Sequence, residues 1–196
     1  MSSQQRAMKR LSARLISLLP PLAQDDRLIP AVEGALSRAR GRPVRLREAA
    51  FPPATASGVW IDRADHDLIV YEENTNPEHQ LVIIGHETWH MFQGDCTTYD
   101  DFSAASRGEP GPELAELMAV LSFVGTDAEP ELVSTDAPFH FAARADARHL
   151  KDELEAERFG FRFATDVRTA ADTAGALRTP HELVGNLQAS MAHRFR

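Results

Sequence analysis

The sequence predicts an α+β fold: one compact domain in which a small antiparallel sheet packs on a single chemistry-bearing helix, with additional helices surrounding both. Three observations predict it. Met8, Leu11, Leu15, Ile16 and Leu19 recur at helical spacing near the N-terminus, and between residues 44 and 71 the apolar period falls to two. The apolar run Leu81-Val82-Ile83-Ile84-Gly85 then leads straight into His86-Glu87-Thr88-Trp89-His90. At 196 residues with 43% hydrophobic content, the chain can bury the core that such a domain needs.

The elements follow in order. The first helix covers residues 4–19 and is ended by Pro20-Pro21, so that an N-terminal helical unit occupies 1–22. A second helix, Arg27 to Ala39, stops at Gly41. Val44-Arg45-Leu46-Arg47 alternates as a strand does, and Gly58-Val59-Trp60-Ile61-Asp62 continues the alternation. Asp65-His66-Asp67 reads as a turn that returns the chain through Leu68-Ile69-Val70-Tyr71, closing a hairpin; His66 is expected to be a solvated turn residue. Asn76 can cap, and Pro77 can open, a helix running to Gln93, with Gly94 as its C-terminal stop. Residues 95–112 read as a polar flanking loop or lid, Glu113 to Val124 as a helix, and 125–143 as a second loop containing His140. A long helix is expected from Arg144 to Thr169. A last one opens at Thr179-Pro180 and runs to His193, within a C-terminal unit 179–196.

The segment 86–90 carries the chemistry. Positions i and i+4 of a helix share a face, so His86 and His90 can meet one metal ion while Glu87 points at water beside it. Two imidazoles and a carboxylate in an otherwise apolar helix are costly to bury unless they are paired or ligate a metal. A zinc hydrolase needs a third protein ligand and one open position. By residue type, the candidates are Glu113, Glu116, His140, His149, Glu153, Glu155 and Glu157. Glu153 and Glu157 lie one turn apart, interleaved with the small residues Ala156 and Gly160; one could bind the metal and the other hold a ligand histidine's free N–H. A solvated charged face accounts for the same residues equally well on spacing alone. Trp89 is expected to pack in the core rather than line the cleft.

Composition narrows the function. With 21 basic against 29 acidic residues, the net charge of −8 argues against a nucleic-acid-binding surface. Cys96 is the single cysteine, so no internal disulfide framework exists and a reducing compartment is expected. The apolar stretch Leu15 to Leu22 is short and broken by proline, unlike a signal peptide, and no run reaches the length of a membrane span. A cytoplasmic protein without membrane contact is the expectation.

The hairpin, the helix bearing His86-Glu87-Thr88-Trp89-His90, and the segment Glu153-Leu154-Glu155-Ala156-Glu157-Arg158-Phe159-Gly160 together resemble the ImmA/IrrE family of metallopeptidases, over residues 27–168. That family has a compact zincin domain with an HExxH helix and a later helix patterned E-x-x-A-x-x-F-A. Glu153, Ala156 and Phe159 match the pattern, and Gly160 replaces its final small residue. The resemblance implies Zn²⁺ as cofactor, His86, His90 and Glu153 as ligands, and Glu87 as catalytic base. The interval between His90 and Glu153 exceeds the family's usual one, so an insertion at 96–143 is expected to be looped out, with Glu116 as the alternative third ligand. Tyr99, His140, His149 and Arg144 are the candidate oxyanion donors beyond the metal. Members of the family commonly act on helix-turn-helix transcriptional regulators, and some are toxin components of toxin–antitoxin pairs. The implied partner is thus a protein substrate of that kind. Two other functions fit the sequence: a non-proteolytic partner-binding module on the same fold, and a zinc hydrolase of a small-molecule amide.

Overall fold

The computed structural model describes residues 2–20, 28–51, 56–94, 139–140 and 147–176. Eight elements are found there: α1 (Ser3–Ser17), α2 (Leu28–Arg40), β1 (Val44–Ala49), β2 (Gly58–Asp62), β3 (Asp67–Glu72), α3 (Pro77–Gln93), β4 (Phe139–His140) and α4 (Ala147–Ala176). The mixed α+β class is as expected. The anticipated helices at 113–124 and 179–193, the loop at 95–112, and Tyr99, Glu113, Glu116 and Arg144 lie outside the described residues.

Local chemistry sets the ends of the helices. A capping box closes the start of α1: Gln5 N–H donates to Ser2 Oγ at 3.2 Å, and Ser2 N–H donates to Gln5 Oε1 at 3.1 Å. Helix α2 gives way to a left-handed Gly41, with φ of 78°.

The strands assemble in the order β1-β3-β2-β4. β2 and β3 form the expected antiparallel hairpin, with Trp60 opposite Ile69. β1, however, runs parallel to β3, Leu46 opposite Ile69, so the sheet is mixed rather than antiparallel. Alternation identifies a strand and its faces but carries no information on partner or direction. The expected loop at 125–143 needs a second correction: Phe139–His140 pairs antiparallel with β2 and places His140 opposite Trp60. One end of the anticipated insertion is therefore part of the sheet, and two residues are too few to show a period.

Asp67 is corrected as well. Instead of ending a solvated turn it opens β3, fully buried, accepting from Trp60 Nε1 at 3.0 Å and pairing with Arg40 Nε at 3.0 Å. Its carboxylate thus anchors β2, β3 and the end of α2 together, the pairing a buried charge requires. On edge strand β1, Leu46 N–H donates to Glu33 Oε2 of α2 at 2.8 Å, which occupies a backbone donor that would otherwise invite another strand.

The main core joins one sheet face (Val44, Leu46, Trp60, Ile69, Tyr71) to Leu36 of α2, Leu81 and Ile84 of α3, and Phe159 and Phe163 of α4. Val59, Ile61, Leu68 and Val70, on the other sheet face, are buried too. Each such side chain contributes about 1.5–3 kcal/mol when fully buried. Helix α1 packs on α4 and α2, with Met8 and Leu15 in the core, and a polar clasp ties it to α4, in which Ser12 Oγ donates to Asp166 Oδ2 at 2.6 Å. Among the described residues no helix is long and apolar enough to cross a membrane.

Candidate metal centre

Helix α3 forms where its caps say it should. The Asn76 side chain accepts from His79 N–H at 2.8 Å, Pro77 sits in the first turn, and Gly94 closes the end at φ 76°. Within it the 3.6-residue period stacks His86 on His90, with ring centroids 4.9 Å apart. Trp89 points the other way, buried against Phe159 with ring centroids 5.1 Å apart, so it is a packing residue as expected.

Helix α4 supplies the third side chain because it can come unusually near. A Cβ placed on Gly160 would lie 2.5 Å from the Val82 carbonyl oxygen, and one on Gly85 would lie 2.9 Å from Gly160 Cα. The two helices therefore touch backbone to backbone, one residue before His86. Two turns earlier on α4, Glu153 Oε2 lies 3.2 Å from His86 Nε2 and Oε1 lies 3.4 Å from His90 Nε2. The two Nε2 atoms are 3.2 Å apart.

Those distances test whether a metal fits. Donors around a tetrahedral zinc at about 2.0–2.1 Å stand about 3.3–3.4 Å from one another; the imidazole pair at 3.2 Å is close to that edge, and Glu153 turns one carboxylate oxygen to each imidazole. His86, His90 and Glu153 are also the group among the described residues able to offer one ligand atom each within 4.8 Å. Two imidazole nitrogens and a carboxylate oxygen form a donor set of the kind zinc takes, with one corner left for water or substrate. His90 is nearly inaccessible, at 1%, while His86 and Glu153 remain partly open on the cavity side.

Electrostatics agree with a site built for positive charge. Burial works against protonation of His86, but the hydrogen bond to Glu153 and the charges of Glu87, Glu153 and Glu157 outweigh it and raise its pKa. Glu87 is buried at 4% exposure and faces β2. A Cβ on Gly58 would fall 2.4 Å from Ile83 Cγ2 and 3.1 Å from Glu87 Oε1. Only a residue without a side chain lets the strand pass this close to the acid. Gly58 is a site residue that sequence reasoning missed, and a lone glycine opening a strand was the signal for it.

Of the other expected ligands, Glu155 turns away: it accepts from the Gln4 side chain of α1 and pairs with Lys151 at 3.8 Å. Glu157 does not join the donor triangle but lines the same cavity and acts on His86 through its charge. His66 sits at the far end of the hairpin, 2.7 Å from Asp65. The backbones of His140 and His149 belong to β4 and α4.

The donor triangle opens on a cavity of about 320 Å³, which Glu87, Gly58 and Phe161 also line. No family model matches this chain, and neither does a curated protein or a solved structure.

Proposed function

We propose that this chain is a zinc-dependent metallopeptidase of zincin-like build that hydrolyses peptide bonds in a protein substrate. One observation carries the reading: His86, His90 and the Glu153 carboxylate converge within 4.8 Å of one another, with Glu87 buried beside them at the edge of an open cavity. When bound, zinc polarises a carbonyl and makes water acidic enough to lose a proton near neutral pH.

The chain's own residues do the rest. His86 and His90 on one helix and Glu153 on another would hold the ion through imidazole nitrogens and a carboxylate, on the side where the cavity opens. Glu87 takes the proton of the attacking water and hands it to the leaving amine. The close passage of Gly58 keeps that carboxylate in one place and shields one side of it from solvent. An open cavity that continues along α3 and α4 suits an extended chain better than a small amide, which a closed pocket would enclose. The resemblance to ImmA/IrrE metallopeptidases supports the same reading and points to a DNA-binding transcriptional regulator as the substrate.

The test is metal content and cleavage measured side by side. The wild type should bind about one zinc per chain and cut unfolded polypeptides. Glu87→Gln should keep the zinc and lose about 10²–10⁴-fold in rate. A Glu87→Gln protein with undiminished cleavage would overturn the assignment of the base. Absence of zinc binding would overturn the metalloenzyme reading itself.

A further inference from the structure

The cavity at the metal centre has a neighbour. A second cavity of about 450 Å³ adjoins it, and the two share His79, Val82 and Phe161. The pair forms a trough between the first turns of α3 and the middle of α4, with Phe161 on the saddle between the two halves. Phe161 is 55% exposed, an unusual position for a ring in a chain whose other described phenylalanines on α4 are buried.

The far half of the trough is rich in hydrogen-bond acceptors, with two carboxylates and one arginine in its lining. Thr165 and Thr169 donate their hydroxyl protons to the carbonyls of Phe161 and Thr165, each at 2.8 Å, which leaves their oxygens as acceptors. Glu78 and Asp172 line the same half, and Glu157 lines the near half across Phe161. Arg168 lines the far half as well, beside Glu78 and Asp172.

We propose that the second cavity is a specificity subsite for a lysine or arginine side chain of the polypeptide being cut. This rests on the peptide-hydrolysis reading above. The aliphatic stem of such a side chain lies over the Phe161 ring, where a cation gains from the ring face, and its head reaches Glu78 and Asp172. An apolar side chain there would strip water from the carboxylates and return nothing, and an acidic one would meet two carboxylates for the one arginine. The substrate class is therefore a polypeptide with a basic residue at a fixed distance from the bond that is cut.

The experiment is cleavage of a proteome-derived peptide library by the zinc-loaded protein. The cut sites are read by mass spectrometry, and sites also produced by Glu87→Gln are subtracted. Lysine or arginine should be enriched about tenfold at one position relative to the cut. That enrichment should flatten in Phe161→Ala and in the double variant Glu78→Gln, Asp172→Asn, with zinc stoichiometry unchanged in both. Cleavage with no basic preference, or a preference that both variants retain, would overturn the subsite and leave the peptidase standing. No cleavage by the zinc-loaded wild type would remove the peptidase reading and the subsite with it.

Discussion

Replacing Gly160 with alanine adds one methyl group at the point where α3 and α4 touch. The new Cβ would stand 2.5 Å from the Val82 carbonyl oxygen and 3.3 Å from His86 N. That oxygen belongs to helix backbone and cannot swing aside, so reaching ordinary van der Waals separation requires the helices to part by roughly 1 Å. Glu153 lies two turns away on the same face of α4 and moves with it. Its contacts to the two imidazoles, now 3.2 and 3.4 Å, would lengthen to about 4 Å, whereas metal sites tolerate about 0.2 Å in their ligand distances. Zinc affinity should fall about 10–100-fold, the loss typical of a displaced ligand support. Overpacking costs about 1–3 kcal/mol, and alanine returns about 1 kcal/mol of helix propensity, so the fold should survive. Competition with a chromophoric chelator measures the affinity, and far-ultraviolet circular dichroism checks the helices. Gly85→Ala should act in the same direction, since its Cβ would meet Gly160 Cα at 2.9 Å. Wild-type zinc affinity in both variants would refute the idea that this crossing sets the donor triangle.

Two further predictions follow from neighbouring features. Gly58→Ala should disturb Glu87 rather than the metal, because its Cβ would meet Ile83 Cγ2 at 2.4 Å and Glu87 Oε1 at 3.1 Å. Zinc stoichiometry should hold while kcat drops at least tenfold, and equal loss of zinc and rate would count against a separate base. Tyr71 carries the pH dependence: burial, then the charges of Glu48 and Glu33, raise its pKa above the ordinary 10.0 against the opposing charge of Arg47. The raised value favours the protonated phenol in the folded state, so its contribution to stability is whole below about pH 10 and is lost as pH rises through the folded value. Tyrosinate absorbance should show one of the chain's 2 tyrosines titrating late, and Tyr71→Phe should remove that step. A late step that persists in Tyr71→Phe would contradict the assignment.

Elements whose signals are local were legible before any coordinates. Asn76, Pro77 and Gly94 bound α3 at the residues where they stand, because capping is chemistry within one turn. The β2–β3 hairpin was legible from alternation around a short turn. Asp67 was misread for the same reason: beside Asp65 and His66 it has a turn's composition, and only Arg40 and Trp60, distant in sequence, make it a buried anchor. The direction of β1 and the pairing of Phe139–His140 were not legible, since partner choice in a sheet is decided by burial across the whole fold.

The metal centre divides along the same line. The sequence by itself determined that His86 and His90 share one face and that Glu87 stands beside them, because 3.6 residues per turn leaves no other arrangement once α3 is a helix. On spacing alone, Glu153 and Glu157 stood out among seven candidates for the third position, and a solvated charged face fitted them equally well. Tertiary structure chose among them: the Gly85–Gly160 crossing brings α4 against α3 at one rotation only, turning Glu153 to the imidazoles and Glu155 to Gln4 of α1. That choice lies in how two helices meet, and the helical period of either one alone does not contain it.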